Sequence, residues 1–501
     1  MKTLFFLSIF CITCILLAFS QCLDDKKSLL LGLRNSLRFS HSDSTKLVHW
    51  NHTNDCCNWD GVECDVFGHV ISLQLDNETI SGGIENSEYL FNLSYLKKLN
   101  LSYNSFNGIQ IPEGISNLAN LTHLNLSCAV PDFLADFSKL TTLSLAFCSL
   151  LGSFPERIFE IPSLQRLDLL DNPLLSGSFP MFLQKGSLRT IVLEHTNFSG
   201  PLPDSIGNLT MLSTLELSNC RFFGQLPPTV ANLTELTDLD ISDNNFTGSI
   251  PSSLFALPSL ISLLLSDNEF HGQVRELSNL SSSILQILDV SSNNLEGPVP
   301  KFFFELEQLK SLSLSSNKFN GAVQMEMFKN PRFDYLDLSH NDLFVQSTDS
   351  DSSLPPLLNI GELRLASCKL QRFPNLPRQS RLSHLDLSSN QLKGEIPNWI
   401  WEIGNGSLRY LNLSNNLLHG FQKPYKFPSS MWVLDLHSNQ ILGELPNDIG
   451  LFLSMLLDLS ANALTGGIPP CLPSNNSLLG VLNLGRNNLS GAIPQTPKPS
   501  R

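Results

Sequence analysis

A phrase of the form L-x-L-S-x-N-x-L-x-G-x-I-P constrains this chain more than any other feature. It stands almost whole at residues 387–397 and returns near 239–251, 288–300, 434–446, 457–469 and 482–494. There are about eighteen copies, most of them about 24 residues apart, and a fixed period of that size means a solenoid. Stacked units of this kind offer one long concave wall, which suits a macromolecular partner better than it suits chemistry in a pocket.

One unit shows why the coils must stack. Leu236, Leu239 and Ile241 should point inward, with Thr237, Asp238, Asp240 and Ser242 outward, ending in the alternation of a short strand with one buried face. Asn244 follows at a bend, where its amide can satisfy backbone groups of its own and adjacent coils. Phe246 closes the coil, Gly248 allows the reversal, and Ile250-Pro251 starts a return path with a short helical turn over 252–257. A single coil cannot cover its own leucines, whereas coils stacked at about 4.8 Å per strand do so. The expected fold class is therefore an α/β solenoid with a parallel concave β-sheet. Cys148, Cys220 and Cys368 occupy the bend position normally held by Asn and read as small buried residues.

The segment 1–20 reads as a secretory signal: Lys2, an apolar run from Leu4 to Phe19, and small residues at Ala18 and Ser20. That run, about sixteen residues, falls short of the roughly 20 that span a bilayer. Cys11 and Cys14 go with it. Cys22, Cys56, Cys57 and Cys64 precede the repeats and read as a disulfide-stapled cap over 21–68. Repeats fill 69–494 and a non-repeat tail 495–501. Sequons at Asn51, Asn77, Asn92, Asn100, Asn120, Asn125, Asn197, Asn208, Asn232, Asn245, Asn279, Asn405, Asn412, Asn475 and Asn488 agree with a glycosylated exported protein. A formal net charge of −14 disfavours nucleic acid and anionic lipid as partners and leaves room for a basic ligand.

Trp50 and the run Cys56-Cys57-Asn58-Trp59-Asp60-Gly61-Val62-Glu63-Cys64 resemble the amino-terminal cap of plant extracellular leucine-rich-repeat proteins. The repeat with Gly and Ile-Pro is similar to the plant-specific class. Longer phrases at 133–138, 186–190, 204–209, 397–401 and 480–484 resemble receptor-like proteins of the Verticillium-wilt resistance type. The resemblance implies the pairs Cys22–Cys56 and Cys57–Cys64, a second strand column near the Ile-Pro residues and a right-handed superhelix. It also implies a cell-surface receptor with no kinase of its own that signals through partner receptor kinases. The family continues with a closing cap, a membrane helix and a short tail, so we expect this chain to be truncated, with its last strand near Leu482 exposed and frayed after about Leu457. The short spacing between Leu124 and Leu143 suggests a deletion of whole repeats, or a faulty gene assembly, between Ala129 and Val130; the long one between Leu336 and Leu363 suggests a loop around 349–353.

Outward residues that break the repeat grammar are the ligand-binding candidates. Arg166, Asp168, Arg189, Glu194, His195 and Glu216 form one expected patch, and Tyr335, Arg364, Tyr410, Trp432 and His437 lie farther along. Exposed Tyr, Trp and Arg are the types that anchor interfaces. The recurring Asp between leucines reads mainly as scaffold. No H-E-x-x-H, G-x-S-x-G or G-x-x-x-x-G-K-S/T occurs, so neither an enzyme nor a cofactor is expected. The expected function is the ligand-recognition ectodomain of a plant immune receptor-like protein, taking a protein or peptide such as a microbial effector on its concave face. The alternatives are a secreted polygalacturonase-inhibitor-like protein and a non-signalling decoy. All place it in the secretory pathway and the apoplast, at the plasma membrane surface if an anchored form exists.

Overall fold

A computed structural model of the protein describes residues 21–85, 87–104, 112–125, 130–278, 283–328, 330–346, 360–374, 376, 381–446, 449, 455–470, 472 and 479–494. The signal segment, the junction at Ala129, the loop 349–353, Cys128, Cys471, Asn279, Asn475 and the tail 495–501 lie outside the described residues. The chain divides into two compact units, Met1–Asn245 and Phe246–Arg501.

The first unit begins with the cap. Helix Asp24–Ser36 carries Asp24 and Asp25 in its first turn and Arg34 in its last, the signs its dipole favours, and buries Leu30, Leu31 and Leu33. Strand Val62–Cys64 pairs antiparallel with Val70–Gln74. Cys22 is bonded to Cys56 and Cys57 to Cys64, each with Cα atoms 5.5 Å apart, which is the pairing the resemblance implied. Trp50 stacks on Trp59 with centroids 5.2 Å apart and donates from Nε1 to the Asp60 carbonyl at 3.2 Å.

From Val70–Gln74 onward each coil adds one short inner strand: Lys98–Asn100, His123–Asn125, Thr142–Ser144, Arg166–Asp168, Thr190–Val192, Thr214–Glu216 and Asp238–Asp240. They pair in parallel with Leu73, Leu99, Leu124, Leu143, Leu167, Ile191, Leu215 and Leu239 in register and buried. The short coil between Leu124 and Leu143 keeps this register and has its own 3-10 turn at Asp132–Asp136. The return path carries 3-10 turns such as Asp204–Asn208 and Pro228–Asn232. A second parallel column runs through Leu151–Ser153, Asn172–Gly177, Thr196–Gly200 and Arg221–Gln225.

The second unit repeats the plan. Its inner strands are Ser262–Leu264, Ile287–Asp289, Ser311–Ser313, Tyr335–Asp337, Glu362–Arg364, His384–Asp386, Tyr410–Asn412, Val433–Asp435, Leu456–Asp458 and Val481–Asn483, all parallel. Leu336 pairs with Leu363 despite the long connection between them. Stacked phenylalanines fill the coils, as at Phe246 and Phe270, whose rings are 6.3 Å apart and nearly parallel. Leu457 is fully buried, whereas Leu482 is 41% and Val481 52% exposed.

Within each unit an asparagine ladder joins many coils to their neighbours. Asn244 donates from Nδ2 to the carbonyls of Leu217 (2.8 Å), Ser242 (2.9 Å) and Ile241 (3.2 Å), and its Oδ1 accepts from the Phe222 amide at 2.9 Å. Asn293, Asn317, Asn341, Asn390, Asn416 and Asn439 donate in the same way. The residue before the ladder position is left-handed in coil after coil, with φ of 51° at Asp243, 57° at His195 and 56° at His340. Cys220 fills a ladder position by donating to the Leu193 carbonyl at 3.0 Å, and Cys368 donates to Leu338 and Ala366 at 3.5 Å. Burial pushes both thiols up, Cys368 to about 12, which favours the protonated thiol over the reactive thiolate.

The sequence reading missed Glu78. It stands at the ladder position of the first coil and is fully buried. Its carboxylate accepts from Ser44 Oγ, Thr45 N (3.2 Å), Thr45 Oγ1 (2.9 Å), Lys46 N (3.1 Å) and Leu47 N (3.1 Å), tying the cap to the repeats. Burial would raise this carboxyl, but the bonds from Ser44, Leu47, Thr45 and Lys46 outweigh it and hold it below its ordinary range.

Candidate ligand-binding surface

Strand residues flanking the buried leucines face away from the core. In the first unit this brings Arg166 over Asp168, Nη2 to Oδ2 at 2.8 Å. The cross-strand partners of these two are Thr190 and Val192, not Arg189, Glu194 and His195 as the spacing had suggested. Arg189 precedes its strand and its amide donates to Gln165. His195 is the left-handed bend residue, its amide donating to Ser218 at 3.1 Å. Glu216 pairs with Val192 on one side and Asp240 on the other. Burial pushes its carboxyl up, and Glu194 and Asp240 add to this while Arg166 opposes it. Arg166, Glu194 and Glu216 thus lie close enough to influence one another, while Arg189 and His195 flank their strand.

In the second unit the candidates come together over consecutive strands. Tyr335 pairs with Glu362, Glu362 with His384, and His384 with Tyr410. The Arg364 guanidinium lies 5.9 Å from the Tyr335 ring centroid and bonds Glu362 at 2.6 Å through Nε. His384 stacks on Tyr410 at 6.0 Å. Arg409, which the sequence reading did not select, covers the Trp432 ring at 5.1 Å, and Trp432 is still 49% exposed. Burial and the nearby Asp337 push the Tyr335 hydroxyl to about 12; burial and Asp386 raise that of Tyr410. Both phenols are therefore neutral donors at any physiological pH.

The recurring Asp serves the bend. Asp240 Oδ1 accepts from Ser242 N (3.0 Å) and Oγ (2.6 Å), and Asp289 and Asp458 hold Ser291 and Ser460 in the same way. His437 follows this rule in part, donating its amide to Asp435 at 3.0 Å with Nδ1 2.7 Å from the same oxygen. Asp435, His437 and Asp458 bring ligand-type atoms within 4.8 Å of one another, yet these atoms already serve Ser460, Asn483 and the bend. Where the repeat has Asn in place of Asp, a sequon lands on the inner sheet, at Asn100, Asn125 and Asn412. Asn208 and Asn232 end 3-10 turns of the return path, and Asn92, Asn77, Asn245 and Asn405 are also exposed.

Models of known families match residues 184–397 as a leucine-rich repeat region, 23–65 as a leucine-rich-repeat N-terminal domain, and 95–118 and 430–452 as leucine-rich repeats. Receptor-like protein 6 of Arabidopsis thaliana is 31% identical over 98% of this chain, which spans 64% of that protein. Receptor-like protein Cf-9 of Solanum pimpinellifolium is 30% identical over 33% of the chain and 26% of its own length. Among solved structures, the plant peptide hormone receptor RGFR1 in complex with RGF2 aligns with a TM-score of 0.65 and 26% identity, covering 87% of this chain and 84% of that one. PEPR1 with AtPEP1 aligns at 0.61 and 30% identity, covering 94% and 76%. No helix among the described residues is long and apolar enough to cross a membrane. With repeats, stapled cap and relatives in agreement, the chain belongs to the plant leucine-rich-repeat receptor-like proteins.

Proposed function

We propose that this chain is the extracellular ligand-recognition part of a plant immune receptor-like protein, and that a peptide or protein segment binds the inner sheet of the second unit. The observation that carries the reading is the tract from Tyr335 to Trp432. It offers a half-exposed indole, neutral phenols, and guanidiniums held in place by stacking, on rigid strands. These are the residue types that dominate interface energetics. Carboxylates at Asp337, Glu362, Asp386 and Asp435 outnumber Arg364 and Arg409 there, so a ligand with basic groups is favoured over an acidic one. RGFR1 and PEPR1 were solved with RGF2 and AtPEP1, which supports a peptide-sized ligand. The signal segment, the sequons and the acidic balance support an apoplastic location, with signalling left to receptor-kinase partners.

The test uses the secreted full chain, immobilised, beside a variant carrying Arg364→Glu and Trp432→Ala. Peptides from a fungal culture filtrate are passed over both and the eluates compared by mass spectrometry. Peptides retained by the wild type and lost by a folded variant are expected. Identical eluates would refute the tract, and inhibition of a fungal polygalacturonase by the wild type would establish the inhibitor alternative.

A further inference from the structure

We propose that Asn412 carries an N-linked glycan that stands on the inner sheet and shields Tyr410 and Trp432. Asn412 closes the strand Tyr410–Asn412, between Asp386 and Asp435 on the neighbouring strands. Its Oδ1 accepts from Ser414 N at 3.0 Å and Oγ at 2.7 Å, the same bonds that Asp240 and Asp458 make to Ser242 and Ser460. The repeat therefore uses only the oxygen of this side chain. Besides its hydrogen bond with the neighbouring Tyr410 hydroxyl, the side chain has a long nitrogen contact to Asp386 Oδ2 at 3.5 Å, and among the described residues the nitrogen bonds no backbone group. A sugar on Nδ2 leaves the bend intact, and the amide keeps one N–H to donate. Asn100 holds its bend the same way, accepting from Ser102 N at 3.1 Å and Oγ at 2.8 Å, but its nitrogen donates to Gln74 Oε1 at 3.0 Å.

The donor is an oligosaccharide on a lipid pyrophosphate. The Nδ2–C1 bond forms as the C1–O bond to phosphate breaks; the lipid pyrophosphate leaves and Nδ2 gives up one proton. Once attached, the sugar sits opposite Asp435 and two residues from Tyr410, whose own cross-strand partner Val433 directly follows Trp432, in the tract assigned above to the ligand. The shield rests on the proposed export of the chain. It implies that the open part of that tract is centred on Tyr335, Arg364 and His384, with Trp432 reached only when the site is bare.

Asn412→Asp is the informative variant, because Asp is the residue the repeat uses elsewhere at this place. It removes the sugar and keeps the oxygen bonded to Ser414. Glycopeptide mapping of the full chain secreted from plant cells should find Asn412 occupied. Hydroxyl-radical labelling of Trp432 and Tyr410, read by mass spectrometry, should rise several-fold in Asn412→Asp and in enzymatically deglycosylated wild type, with labelling of Tyr335 unchanged. A bare Asn412 beside occupied Asn92 and Asn208 would overturn the proposal while leaving export standing; no occupied sequon would overturn both. An occupied Asn412 with unchanged labelling of Trp432 and Tyr410 would overturn the shield. No ligand enters these measurements, so they are independent of the binding test.

Discussion

Replacing Glu78 by Gln substitutes an NH2 group for one carboxylate oxygen in a site lined only by donors. Glu78 is fully buried, and its two oxygens take the amides of Thr45, Lys46 and Leu47 and the hydroxyls of Ser44 and Thr45. Hydrogen bonds to a charged group contribute about 1.5–3 kcal/mol each. Gln keeps one acceptor and turns its NH2 toward the Leu47 amide and the Ser44 hydroxyl, so two such bonds are lost and donors face donors. The expected cost is about 3–5 kcal/mol, the range found when one partner of a buried charged network is removed. The loss should be local, because coils contact only their neighbours. Hydrogen exchange of the Lys46 and Leu47 amides should accelerate, while that of Leu239 and its neighbours stays as it was. The pH dependence has a fixed sign. The folded carboxyl lies below its ordinary value of 4.5, so its contribution is complete above that pH and fades as pH falls through the lower folded value. Wild type and Glu78→Gln should therefore differ most at neutral pH and converge in acid. Equal exchange rates at pH 7, or a gap that widens on acidification, would refute the account.

Two further outcomes follow from the ladder. Asn244→Ala strands the Leu217 carbonyl and the Phe222 amide in a buried site and should cost about 2–4 kcal/mol in urea unfolding of that region; Asn244→Cys, which retains a donor as at Cys220, should cost less. The Cys368 thiol, buried and pushed up to about 12, should resist iodoacetamide at pH 8 in the folded protein and react only in denaturant.

Much of the coil was legible before any coordinates. Leu236, Leu239 and Ile241 read as buried, Asn244 as a bonded bend residue and 252–257 as a helical turn, and the structure has each of these, the turn as a 3-10 helix at Ser252–Ala256. These features are local and repeat, so every copy reinforces the same pattern. Glu78 was not legible: it breaks the ladder pattern, and its partners at 44–47 lie in the cap, outside the repeat. The place of one candidate in the coil was hidden for a related reason. His195 looked like an outward strand residue, whereas the left-handed backbone there makes it part of the bend.

The sequence by itself determined the coil, the stapled cap and the residues that depart from the repeat, because side-chain burial and turn chemistry act over a few neighbouring residues. Only the tertiary structure decided that Arg409 covers Trp432, that Arg364 leans on Tyr335 and that Asn412 stands between Asp386 and Asp435. These contacts join groups from different coils, and the strand register sets which of them meet.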